Sequence, residues 1–267
     1  MRYTPFSAEL FKKNRAKLYE QLPPKSIVVI SSNDIMPTNA DGTMGFRQNS
    51  DLFYLSGLDQ EETLLILYPD APEAQWREIA FVRETSELIQ IWEGHKYTKE
   101  EAIQTSGIQN IQWTSNFDTL LKTLIYSANY LYLTDNEHLR NTSIVQTQNA
   151  RLGATLRSTY PNHTIGRLAP ILSDLRMQKE PEELHALQVA CDITEKGFRR
   201  ILSFTKPGVT EYEIEAEFIH EFTRNRSEGF AYTPIIASGA NACVLHYIDN
   251  ALPCKDGDML LLDVGAS

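Results

Sequence analysis

Four short runs in the first half of the chain are apolar almost without interruption: SIVVIS (26–31), TLLILY (63–68), IAFV (79–82) and YLYLT (130–134). Each is rich in β-branched and aromatic residues, which predicts strands. Between the last two, Phe117, Leu120, Leu121, Leu124 and Ile125 recur at i, i+3, i+4, i+7 and i+8, the stripe of an amphipathic helix. Residues 7–22 predict an opening helix with Ser7 at its N-cap. Strands alternate with helices, so the first half predicts a layered α/β domain.

The pattern changes near LSDLRMQKEPEEL (172–184). Pro181 suits the first position of a helix, and Glu182 and Glu183 suit its positive end. That helix is expected to run to about Ser203. KPGV (206–209) predicts a turn, and Thr210 with Glu213 predicts a capping box for a second helix reaching about Ser227. TPIIAS (233–238), CVLHYI (243–248) and DMLLLDV (258–264) then predict strands of an antiparallel sheet. The domain boundary is placed near residue 174.

Length and charge narrow the classes. A chain of 267 residues suits two domains. A net charge of -10 repels phosphate backbones and anionic lipid surfaces, which argues against nucleic-acid and membrane partners. No apolar run reaches membrane-spanning length, and MRYTPFSAELFKKNR lacks the apolar centre of a signal peptide. Three cysteines, Cys191, Cys243 and Cys254, are odd in number and not paired by spacing. Free thiols in a reducing cytoplasm are expected.

Candidate chemistry concentrates in YTPIIASGANACVLHYIDNALPCKDGDMLLLDVGAS. A histidine in an apolar strand, as His246 reads, is by itself a satisfied core residue. Asp263 follows LLL and reads as near-buried, which demands a partner, because an isolated buried charge is prohibitive. A hard carboxylate of this kind ligates divalent metals, pairs with a cation, or closes a strand-end turn; the residues alone leave these open. Tyr232 reads as a core aromatic, and the lone Trp92 in LIQIWEGHKY reads as packing.

Three blocks, in order and spanning nearly the whole chain, carry a resemblance. FRQNSDLFYLSGLDQEETLLIL (46–67) is similar to the N-terminal-domain signature of the Xaa-Pro aminopeptidases, the aminopeptidase P and prolidase branch of the pita-bread metallopeptidases. DLRMQKEPEEL (174–184), with Arg176 and Lys179, resembles that family's entry to its first catalytic helix. SGANACVLHY with KDGDMLLLDVGA resembles the entry to its catalytic domain. The resemblance implies a creatinase-like α/β N-terminal domain with a mixed sheet over 1–174, then an incomplete α+β pita-bread catalytic domain over 175–267.

It also implies roles. Asp263 matches the first ligand of a dinuclear centre, His246 the catalytic histidine that contacts substrate without binding metal, and Tyr232 a tyrosine lining the site. Trp92 resembles an N-domain tryptophan that reaches a neighbouring subunit's substrate pocket. The implied activity is removal of the first residue from peptides with proline second, by two divalent ions, Mn²⁺ by family habit. A bond before proline is a tertiary amide. Metal-bound hydroxide supplies a nucleophile near neutral pH, and the cations polarise the carbonyl. Proline-containing peptides are the implied partners, with a homo-oligomer, dimer or tetramer, formed through the N-domain. The family centre uses two aspartates, a histidine and two glutamates, and only the first aspartate is found here. The chain is therefore expected to be a fragment, inactive alone and unable to bind both ions fully. Prolidase, which cleaves Xaa-Pro dipeptides, and a non-catalytic peptidase-like binding module are the alternatives.

Overall fold

SIVVIS is buried at every position, which requires cover on both faces of the sheet that contains it. The computed structural model, which describes residues 3–267, supplies that cover. It divides into two compact units, residues 6–178 and residues 179–267 together with 3–5. The first unit runs α1 (Ala8–Tyr19), β1 (Ser26–Ser31), α2 (Ser50–Ser56), β2 (Leu64–Leu67), β3 (Glu78–Val82), α3 (Glu87–Glu93), α4 (Lys99–Ser106), β4 (Asn110–Trp113), α5 (Phe117–Ile125), β5 (Tyr130–Leu133), α6 (Gln148–Thr159), β6 (Thr164–Arg167) and α7 (Ala169–Met177). Its six strands lie in the order β4-β3-β2-β1-β5-β6. The β1–β2 and β2–β3 pairs are antiparallel, and β3–β4, β1–β5 and β5–β6 are parallel. This is the mixed sheet the resemblance implied.

Period-two alternation sends successive side chains to opposite faces. Val28 and Ile30 face Leu18 of α1, Leu52 and Leu55 of α2, Ala102 of α4 and Leu172 of α7. Ile27 and Val29 face the apolar stripe of α5 (Phe117, Leu121, Leu124, Ile125) and Leu156 of α6. Burying both faces is why the strands read as unbroken apolar runs. A fully buried charge lies inside. Arg15 of α1 is fully buried; its guanidinium donates to Leu55 O at 2.8 Å and Ser106 O at 3.1 Å, and pairs with Glu78 at 3.0 Å. It thereby satisfies carbonyls at the C-terminal ends of α2 and α4, which helix geometry leaves without partners.

The 46–67 block works inside this unit. Gln48 Nε2 donates to Leu58 O at 3.0 Å and Gln60 O at 2.8 Å. Asn49 caps α2, accepting from the backbone N–H groups of Asp51 and Leu52. Gly57 ends that helix with φ at +68°, and a Cβ there would fall within the Phe11 ring. Gln60 Oε1 accepts from Tyr97 N–H at 2.7 Å. Asp51 pairs with Arg176 of α7 at 2.6 Å. The stretch 174–184, where the domain boundary is expected, is helical as far as Met177.

The second unit runs α8 (Pro181–Phe204), α9 (Glu211–Arg224), β7 (Ile235–Ser238) and β8 (Leu260–Asp263). Pro181 opens α8 as expected. The Thr210–Glu213 capping box forms at α9, with Glu213 Oε2 accepting from Thr210 N–H at 2.8 Å. The helices approach closely at Gly197, where a Cβ would lie 2.7 Å from the Phe218 ring. β7 and β8 pair antiparallel, from Ile235 opposite Asp263 to Ser238 opposite Leu260. Their inner face joins Ile193, Ile201, Ile214, Phe218 and Phe222 in one core. This is the expected helix pair followed by antiparallel strands, with one correction. CVLHYI is not a strand: a 3-10 turn occupies Gly239–Cys243, and an open loop follows. Val244, Leu245 and Ile248 face solvent there. No helix among the described residues is long and apolar enough to cross a membrane.

Candidate functional site

β8 alternates, with Leu260 and Leu262 half-buried towards the core and Leu261 and Asp263 exposed. A two-stranded sheet covered on one face buries only every second residue. Asp263 is therefore an exposed carboxylate, not the near-buried one its apolar neighbours suggested. Pairing continues beyond the strands through the Phe230–Ala266 bridge and the Ala231 N–H to Gly265 O bond of 2.9 Å. That extension brings Tyr232 alongside Asp263, across the face of Gly265, where a Cβ would lie 3.5 Å from the ring. The Tyr232 hydroxyl donates to Asp263 Oδ1 at 2.8 Å. The ring is 49% exposed, so the core-aromatic reading of Tyr232 does not hold. The hydrogen bond to Asp263 raises the Tyr232 pKa above the ordinary phenol value, with burial and the carboxylate charge adding to it. The phenol stays protonated near neutral pH and remains a donor. One carboxylate oxygen is thus fixed by Tyr232, and the other makes no hydrogen bond among the described residues.

His246 lies on the exposed loop after the 3-10 turn, which corrects its reading as a core histidine. It makes no hydrogen bond or ion pair among the described residues. Its loop is held by side chains that the sequence reading passed over. Glu211, the first residue of α9, is fully buried. It accepts from Ser238 N–H and Oγ–H, both at 2.7 Å, from the Tyr247 hydroxyl at 2.6 Å and from Leu252 N–H at 2.9 Å. Burial opposes its ionisation, but the bonds from Tyr247, Leu252 and Ser238 outweigh it, and its pKa falls below the usual glutamate range. Asn250 adds a second tie, accepting from Ile236 N–H at 3.0 Å and donating to Glu215 of α9 at 2.9 Å. The signal for Glu211 was present, since an acid at a helix N-terminus is favoured, but its partners lie 27 to 41 residues away.

Trp92 belongs to the first unit, apart from the other three residues. It lies on α3, is 81% exposed, and shares its helix with the exposed Leu88 and Ile91. It is not a packing residue within its own unit. A polar cleft of about 1060 Å³ opens in the first unit beyond the C-terminal ends of β1, β5 and β6. Its charges are largely matched, Arg176 with Asp51 and Arg167 with Glu137. None of the four candidate residues lines it.

Asp263 offers a hard oxygen donor of the kind divalent cations take. Among the described residues no group of three or more His, Cys, Asp or Glu could hold a metal ion. One carboxylate is not a dinuclear centre, so these residues by themselves do not fit the metal pair that the resemblance implies.

Comparison with known proteins gives two family matches. Residues 11–132 match Aminopeptidase P, N-terminal domain, and residues 185–267 match Metallopeptidase family M24. A Xaa-Pro aminopeptidase of Haemophilus influenzae is 30% identical over 257 residues, covering 96% of this chain and 57% of the relative. One from Escherichia coli is 30% identical over 261 residues, covering 97% of this chain and 59% of the relative. The structure of Pseudomonas aeruginosa aminopeptidase PepP superposes with a TM-score of 0.87 at 26% identity, over 99% of this chain and 60% of that one. The chain thus spans about three fifths of the length of the proteins it matches.

Proposed function

Residues 11–132 belong to the aminopeptidase P N-terminal domain family and residues 185–267 to metallopeptidase family M24, and on that premise we propose a manganese-dependent aminopeptidase that releases the first residue of peptides with proline second. The observation that carries the proposal is the hydrogen bond from Tyr232 to an outward-facing Asp263. Those two residues stand where the resemblance puts a site tyrosine and the first metal ligand. On this reading the remaining ligands belong to the two fifths of the relatives' length that the chain does not span. The N-domain extends through residue 174 and the catalytic domain begins at 175. His246, on its exposed loop, meets the substrate near the bond that breaks.

The exposed Trp92, Leu88 and Ile91 on one short helix support a homo-oligomer formed through the N-domain, with Trp92 reaching a neighbouring copy's substrate. The free cysteines Cys191, Cys243 and Cys254 support a reducing, cytoplasmic setting. The test is release of the N-terminal residue from Xaa-Pro-Yaa peptides by the complete gene product, with and without Mn²⁺, beside the 267-residue chain. Manganese-dependent release by the complete product is expected. Cleavage of Xaa-Pro dipeptides alone would replace the proposal with a prolidase, and absence of both activities would sink it.

A further inference from the structure

The loop carrying His246 has little apolar anchorage. Val244, Leu245 and Ile248 are 50%, 87% and 59% exposed. Its course is set by polar ties: Asn250 bonds to Ile236 N–H and Glu215, and four further donors converge on one carboxylate. Glu211 Oε1 takes both donors of Ser238, at the start of the loop. Glu211 Oε2 takes Leu252 N–H, at its end, and the hydroxyl of Tyr247, the residue next to His246. The backbone N–H of Glu211 also donates to Leu252 O at 3.0 Å. Four donors meet a fully buried carboxylate with no cationic partner among the described residues. A buried anion held only by aligned donors is stable when every lone pair is directed, and it tolerates little displacement of those donors.

We infer that Glu211 is a positioning residue: it clasps both ends of the loop over 239–251 and, through Tyr247, sets the place of His246. The role of His246 in catalysis rests on the peptidase reading above; the clasp itself does not. Glu211→Gln keeps the size of the side chain but turns an amide N–H₂ towards donors, so at least one pair of bonds fails. Tyr247→Phe removes the arm beside His246, together with the 3.3 Å bond that the hydroxyl accepts from Ala251 N–H, and leaves the buried carboxylate with three donors.

Hydrogen exchange on the 267-residue chain reads the clasp directly. Glu211→Gln is expected to speed exchange of amides in 239–252 by about tenfold or more, and Tyr247→Phe by about threefold, while α8 and the first unit keep their rates. Unchanged exchange in both variants, or a uniform rise across 179–267, overturns the inference. In the complete gene product, Glu211→Gln should lower kcat by about 10- to 100-fold with KM within about threefold, the split expected when a group beside the reaction is misplaced. A wild-type kcat in that variant also overturns it. A wild-type product that releases nothing from Xaa-Pro-Yaa defeats the peptidase reading instead, and the exchange data then decide Glu211 by themselves.

Discussion

Residues 46–67 and 232–263 are the two stretches that carry the resemblance most strongly, and their polar side chains point in opposite directions. In the first, Gln48, Asn49, Asp51 and Gln60 all bond to backbone or side chains of their own unit. In the second, Tyr232, His246 and Asp263 are exposed, and Tyr232 and Asp263 bond to each other. A recurring polar motif can therefore mean a fold requirement or a chemical one. The distinction lies in whether its donors and acceptors are already used. The first block spends most of its polar groups on its own unit, although Asn49, Ser50 and Asp51 also line the polar cleft; the second has a carboxylate oxygen and an imidazole.

Substitutions can test that contrast. The largest effect is expected at Asp263. Asp263→Ala in the complete gene product should cut manganese-dependent release by about a thousandfold or more, about 4 kcal/mol of transition-state stabilisation. Its urea midpoint should stay within about 0.5 kcal/mol of wild type. A comparable loss of stability would erase the contrast. Gly57→Ala should do the reverse. Its φ of +68° and the Phe11 ring in the way of a Cβ together cost about 2–5 kcal/mol in urea unfolding of the first unit. Gln48→Ala strips donors from two carbonyls, worth about 1–3 kcal/mol by the same measurement.

Smaller effects sharpen the second block. The Tyr232 phenol should ionise above the ordinary tyrosine range in an absorbance titration, and Asp263→Asn should bring it back down, because its hydrogen bond to the carboxylate leads the causes. Glu211 gives a pH signature of stability. Its folded pKa is depressed, so its contribution is complete above the unfolded glutamate value of about 4.3 and is lost as pH falls through the folded value. Urea midpoints of the second unit should decline over that acid window, and Glu211→Gln should flatten the decline.

Much of the fold was legible. β1, β2, β3 and β5 were found because strands covered on both faces must be apolar throughout, and α5 because its stripe meets one of those faces. β4 and β6 escaped because NIQW and TIGR are four-residue edge strands with half-exposed, mixed side chains. CVLHYI has the composition of a strand, yet its conformation is decided by Glu211 and Asn250. No window around His246 contains Glu211. Asp263 was found for a reason that did not hold. Its apolar neighbours implied burial, whereas a one-sided sheet leaves it open. The Tyr232–Asp263 contact depends on the register of two segments 31 residues apart, which no local pattern encodes.

Arg15 has a consequence for how the chain is made. Its guanidinium needs Leu55 O, Glu78 and Ser106 O, and the last lies 91 residues downstream. At the pace of synthesis, about 5–20 residues per second, roughly 5–20 s pass between the emergence of Arg15 and that of Ser106. Throughout that interval α1 holds a charge that belongs in the interior and lacks its full set of partners there. Helix α1 can be fully seated only once α4, which carries Ser106, has been made.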